Sequence, residues 1–252
     1  MREDWQGKVA IVTGGSSGIG EATALALAAQ GANVVITGRD EAKLAGVAAK
    51  SEAVATVRAD AADPTGSRPI VEAALSRWGR LDLVVNNAGA GRPLPIDAYD
   101  GEAIAEICAV NITGPSLLLK EALPALRETK GAVVNIGTAV SQNAAPGLAH
   151  YAATKTALEH LTRSWAIELS GDGIRVNAIA PGPVKTGALT GMMGLSPEMA
   201  STIEEAEAAE IPLGRRGATT DLVPWILQLG SSANEWLTGQ VIAIDGGWSQ
   251  RR

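Results

Sequence analysis

The sequence predicts a doubly wound, three-layer α/β fold, a parallel sheet with helices on both faces. Three observations lead there. Seven short runs of Val, Ile and Ala show almost no polar alternation, as strands covered on both sides require. Longer helical patterns separate these runs. A glycine-rich turn stands between the first run and the first helical pattern.

The elements follow in order. "KVAIVTG" is the first strand, and "GEATALALAAQGA" is a helix closed by Gly31. "NVVITG" is the second strand, followed by a helix over "DEAKLAGVAAK". "AVATVRAD" is the third, and Asp63 with Pro64 opens the helix after it. "LDLVVNNAG" is the fourth strand, before a long helical region that holds "NITGPSLLLKEALPAL". "GAVVNIG" is the fifth, "YAATKTALEHLTRSWAIELS" a helix, "IRVNAIAPG" the sixth strand and "QVIAIDGG" the last. No break in composition divides the 252 residues, so one domain spanning 1–252 is expected. The segment 187–212, rich in small residues and holding two methionines, reads as a helical flap after the sixth strand. Its place at a carboxyl strand end suits a lid over a ligand; the alternative is an ordinary surface helix pair.

Composition narrows the function. A formal net charge of −6 argues against a nucleic-acid partner, which needs a basic face. Two histidines and one cysteine leave little for a metal site. No apolar run approaches the ~20 residues of a membrane span. A charged start leading straight into the first strand shows no signal peptide, and the lone Cys108 excludes an intrachain disulfide. A soluble cytoplasmic protein is the expectation.

"TGGSSGIG" lets backbone approach a pyrophosphate and offers helix N-terminal amides to its charge. Gly14, Ser16, Ser17, Gly18, Ile19 and Gly20 are the predicted contacts. The spacing differs from G-x-G-x-x-G, but a strand before and a helix after support dinucleotide binding. At the end of the second strand Gly38 leaves space and Arg39 offers a donor fork suited to a 2′-phosphate, favouring NADP(H) over NAD(H). Asp40 competes as a ribose acceptor, though its simpler role is helix N-cap. Asp60 can accept from an adenine amino group, and "NNAG" forms a turn beside the cofactor.

Tyr151 and Lys155 stand four residues apart on a predicted helix and share a face. A phenol titrates near 10, and a nearby ammonium stabilises its phenolate. Tyr151 is then a general acid in carbonyl reduction and a general base in the reverse. His150 points about 100° away from it and suits a substrate-side or surface role. His160 and Cys108 read as packing or surface residues.

In its order of motifs the chain resembles the short-chain dehydrogenase/reductase family: "TGGSSGIG", "NNAG", Asn111 in "VNITG", "VVNIGT", "YAATK", "IRVNAIAPGPVKT" and "GQVIAIDGG". The resemblance spans nearly the whole chain. It implies a seven-stranded Rossmann sheet and hydride transfer between nicotinamide and a carbonyl or alcohol carbon of a small molecule. It implies Tyr151 as acid/base, Lys155 on the nicotinamide ribose, and Asn111 positioning a water. Val184 and Thr186 would contact the carboxamide, with Pro181 and Gly182 beside them. Asn87, Ala88 and Gly89 would flank the cofactor, Asp60 and Ala61 the adenine. A homotetramer is the family default. Thr138 stands where the family usually has serine; its hydroxyl keeps the donor chemistry while its methyl narrows the pocket. Ser141 is read as a loop residue, and Gly137 stands where a second serine is common. The alternative function is a non-catalytic NADP(H) sensor on the same fold, which leaves Asn111, Thr138, Tyr151 and Lys155 unexplained together.

Overall fold

The computed structural model describes residues 5–143 and 145–250. Seven parallel strands form one sheet in the order β3-β2-β1-β4-β5-β6-β7. They are β1 (Val9–Val12), β2 (Asn33–Gly38), β3 (Val54–Arg58), β4 (Leu83–Asn86), β5 (Ala132–Ile136), β6 (Arg175–Pro181) and β7 (Val241–Ile244). Nine α-helices are described: α1 (Gly18–Ala29), α2 (Glu41–Ala48), α3 (Ser67–Trp78), α4 (Gly101–Cys108), α5 (Gly114–Thr129), α6 (Ala149–Glu168), α7 (Ala188–Gly191), α8 (Pro197–Glu210) and α9 (Thr219–Gly230).

Alternation along each strand feeds two cores. Ala10, Val12, Val34 and Ile36 pack with Ala24, Leu27, Leu44 and the α9 residues Leu222, Val223 and Ile226. Val9, Ile11 and Val35 face the other way, onto Ile70, Val71, Ala74, Leu118, Leu119 and Ala166. The inner strands are buried along their length except at the two ends of β2, as their sequences require. The edge strands β3 and β7 are partly exposed, a departure from the expectation of two covered faces for all seven.

Three further differences from the sequence reading have physical causes. Asp63 does not cap α3: its Oδ1 accepts from the backbone N–H and the hydroxyl of Thr65 at 2.8 and 2.7 Å, closing a local turn. The helix starts only at Ser67, with Gly66 before it. Helix α9 escaped the reading because Pro224 lies inside it. Finally, α4, a π-helical turn at Ala109–Thr113 and α5 run on as one 29-residue helical stretch, Gly101–Thr129, with a window of mean hydropathy 1.3. By length and composition it could cross a membrane, which the short apolar runs concealed. Leu118, Leu119, Ala122, Ala125 and Leu126 set its apolar stripe into the core on the sheet.

The order in which strands are added reverses at β1, with β2 and β3 on one side and β4 to β7 on the other. A crevice therefore opens at the carboxyl ends of these strands.

Candidate active site

The turn from β1 to α1 is held by backbone and neutral polar groups. Thr13 Oγ1 accepts from the N–H groups of Asn87 and Ala88, both at 3.0 Å. The Asn87 amide donates to the carbonyls of Thr13 (2.8 Å) and Gly14 (3.1 Å). Asn87 therefore pins the glycine turn to the end of β4. Gly14 and Gly18 adopt φ of +63° and +56°, conformations that L side chains rarely take. At Gly20 a Cβ would lie 2.4 Å from the Gly14 carbonyl oxygen, so only glycine lets α1 start this close to the turn. Ser17 caps α1 without a side-chain hydrogen bond, which leaves first-turn amides for an anion. Ser16 and Ile19 complete the turn, and Thr186 faces Gly18, 3.4 Å from a Cβ placed there.

Next to this cradle, Ala61, Asp60, Ala88, Val110 and Thr13 line a cleft. Asp60 spends one oxygen on the Ala62 N–H at 2.9 Å and faces the cleft from the exposed end of β3. Arg39 is exposed just past β2. The neighbouring pairs Lys43–Asp40 and Arg58–Glu41, both 3.9 Å, leave its guanidinium unpaired among the described residues. Asp40 accepts from the Lys43 N–H at 3.0 Å and is the N-cap of α2.

The second group gathers where β5 and β6 meet α6. Lys155 is buried, and its ammonium donates to the Ile136 carbonyl at 2.8 Å. Burial lowers it to about 8, against a smaller opposing pull from Glu159. Burial likewise pushes the Tyr151 phenol above its ordinary value, while a hydrogen bond with the Thr138 side chain draws it back. This corrects the expectation that the ammonium depresses the phenol: burial outweighs the other pulls on it, and Lys155 is engaged with Ile136. Asn111 differs too. Its Nδ2 donates to the Ala90 carbonyl (2.8 Å) and Thr154 Oγ1 (2.9 Å), and its Oδ1 accepts from the Ala90 N–H (2.9 Å). Both amide hydrogens are spent, so the side chain clamps the segment after β4, and the second lone pair of Oδ1 is what it can offer a water. Gly89 lies against this pair: a Cβ there would sit 3.3 Å from Lys155 Nζ.

Pro181 ends β6, and Gly182 follows with its N–H on the Ile244 carbonyl at 3.1 Å. Val184 bridges to Gly217, and its carbonyl accepts from Arg216 at 3.0 Å. The segment 187–212 holds α7 and α8. His150 is partly buried and meets Tyr99 edge to face, 4.6 Å between ring centres; His160 is exposed, and Cys108 is only partly buried.

Sequence reasoning missed Thr13, Gly91 and Glu159. A Cβ at Gly91 would lie 2.6 Å from the Tyr151 ring, so glycine there makes room for it. Ser141, read as a loop residue, donates to the Thr138 carbonyl at 2.6 Å and contacts Glu159 Oε1 at 2.8 Å. Position i+4 from Lys155 was the available signal for Glu159.

Known proteins are similar to this chain in sequence and in fold. Residues 14–249 match the family model described as Enoyl-(Acyl carrier protein) reductase. A 3-oxoacyl-(acyl-carrier-protein) reductase of Thermotoga maritima is 34% identical over 247 residues, covering 96% of this chain and 98% of the relative. An L-fucose dehydrogenase of Oryctolagus cuniculus is 34% identical over 244 residues, 96% and 85% of the two chains. The crystal structure of a 3-ketoacyl-(acyl-carrier-protein) reductase from Brucella melitensis, complexed with NADH, superposes with a TM-score of 0.90 at 33% identity, covering 97% and 99%. With a seven-stranded sheet, a glycine cradle at its switch point and a Tyr–Lys pair beside it, the chain belongs to the short-chain dehydrogenase/reductase family and is a pyridine-nucleotide-dependent oxidoreductase of CH–OH and C=O groups.

Proposed function

We propose that this enzyme reduces a ketone or 3-oxoacyl compound, or oxidises the matching secondary alcohol, with NADP(H) as the favoured cofactor. The observation that carries the reading is the Tyr151 phenol and the buried Lys155 ammonium one helical turn apart on α6, with Thr138 near enough to the phenol to draw its titration down. Bound nicotinamide supplies or accepts the hydride at the substrate carbon. Tyr151 gives its phenolic proton to the carbonyl oxygen, and Thr138 holds that oxygen. With one N–H on Ile136, Lys155 keeps two for the ribose hydroxyls. Titrating at about 8, it remains mostly cationic at neutrality. Asn111 fixes the floor at Ala90.

The fit to a dinucleotide rests on the uncapped start of α1 and the glycines facing Asn87 and Thr186. Exposed Arg39 beside side-chain-free Gly38 favours a 2′-phosphate. Segment 187–212 serves as the substrate flap. A homotetramer is supported by Ile167 on α6 and Trp236 before β7, exposed at 77% and 103%.

Tyr151→Phe, assayed by nicotinamide absorbance over a panel of ketones and 3-oxoacyl thioesters, is expected to lose about a thousand-fold or more in kcat while NADPH affinity stays within about two-fold. Undiminished turnover would refute the acid/base assignment, and tighter binding of NADH than of NADPH would refute the cofactor preference.

A further inference from the structure

Glu159 lies on α6 one turn beyond Lys155 and is 6% exposed. A buried carboxyl is costly unless its hydrogen bonds are made, so its partners are informative. Oε1 contacts Ser141 Oγ at 2.8 Å and the Thr138 N–H at 3.5 Å. Both belong to the turn after β5, where Ala139–Gln142 winds as a 3-10 helix with Thr138 at its start. The space for the carboxyl comes from Gly137: a Cβ there would lie 2.7 Å from Oε1 and 3.2 Å from Cγ of Glu159. The glycine that departs from the family pattern and the buried acid are thus two halves of one feature.

The hydrogen count says which form the acid takes. Ser141 has one hydroxyl hydrogen, and the Thr138 carbonyl, 2.6 Å away, can only accept. The remaining contact, Ser141 to Glu159, is satisfied when Glu159 carries the proton and donates it to Ser141. The surroundings agree: burial raises the Glu159 carboxyl, against the opposing pulls of Ser141, Thr138, Arg163 and Lys155.

We infer that Glu159 is a positioning residue that, as a neutral acid admitted by Gly137, fixes the 138–142 turn and so aims the Thr138 hydroxyl at Tyr151 and the substrate oxygen. This rests on the proposed roles of Thr138 and Tyr151.

Glutamine is the isostere of the neutral acid: from the place of Oε1 its amide N–H can donate to Ser141, giving up only the long Thr138 contact at that atom. Glu159→Gln should therefore keep kcat within about three-fold, whereas Glu159→Leu should lower kcat about thirty-fold or more with NADPH affinity unchanged. The assay uses whichever ketone or thioester of the panel the wild type reduces fastest. Gly137→Ser should impair kcat through the same acid, so Gly137→Ser/Glu159→Ala should be no worse than Glu159→Ala alone. A substrate-free reading uses the fact that the chain has two tyrosines. In a Tyr99→Phe background the phenolate absorbance reports Tyr151 alone. Its midpoint should be about half a unit or more higher in Glu159→Leu than in Glu159→Gln, since loss of the Thr138 bond disfavours the phenolate. Equal kcat and equal midpoints for the Leu and Gln variants, or additive losses in the double variant, overturn the inference. If that happens while Tyr151→Phe is inactive, the proposed chemistry survives without it; an active Tyr151→Phe removes both.

Discussion

The two ends of the crevice are built by different means. At the glycine turn the contacts are backbone geometry and neutral amides, with Asn87 and Thr13 tying β1 to β4. The charged groups there, Arg39 and Asp60, stay exposed. Around Tyr151 the contacts are made by side chains reaching to backbone, and two of those side chains, Lys155 and Glu159, are ionisable and buried. A site made of backbone is rigid and indifferent to pH. A site made of buried charges is tunable, and it costs stability to maintain.

The largest test of this contrast is Lys155→Met. Unfolded, the lysine titrates at its ordinary 10.5; folded, at about 8. Between these values the unfolded chain binds more proton, so the lysine's contribution to stability rises with pH across that window. Below about pH 8 its full cost is present. Denaturant unfolding of the ligand-free protein should show wild type gaining on Lys155→Met by up to about 3 kcal/mol from pH 8 towards 10.5. Parallel pH profiles would mean that the ammonium is not destabilised by its burial.

The same contrast decides what was legible. Strand runs, the glycine turn and the Tyr151–Lys155 pair depend on local pattern, and the fold followed from them. The partners of Lys155 and Asn111 depend on chain segments far away in sequence: Ile136 is nineteen residues from Lys155, and Ala90 twenty-one from Asn111. No local spacing encodes those contacts. Asp63 misled because a residue that can cap a helix can equally close its own turn. Gly137 marked a departure from pattern, but its cause lay on another element, at Glu159.

A smaller effect is expected at segment 187–212. Arg216 has a side chain only 4% exposed; it pairs with Glu207 at 2.9 Å and with Glu204, and donates to the Val184 carbonyl. It therefore fastens α8 to the strand end that leads into Thr186. Burial raises the Glu207 carboxyl, and Arg216 opposes that rise. Arg216→Met removes the opposing charge and should speed hydrogen exchange of 197–210 by about thirty-fold, roughly 2 kcal/mol, with α1 unaffected. Unchanged exchange in α8 would assign its docking to apolar contacts such as Ala200 instead.

The smallest effect belongs to the cofactor end and tests whether that end really relies on backbone. Asp40 is the one acidic side chain beside Arg39 that competes as a ribose acceptor, yet its Oδ1 already accepts from the Lys43 N–H at 3.0 Å. Asp40→Ala should cost about 1 kcal/mol, the usual worth of a lost N-cap, read by denaturant unfolding. The ratio of NADPH to NADH affinity should not move, because the residue that caps α2 is not the one that meets the ribose. A selective loss of NADH affinity would show that Asp40 leaves its cap to bind the 2′-hydroxyl, and would turn the preference at this strand end into a contest between Asp40 and Arg39.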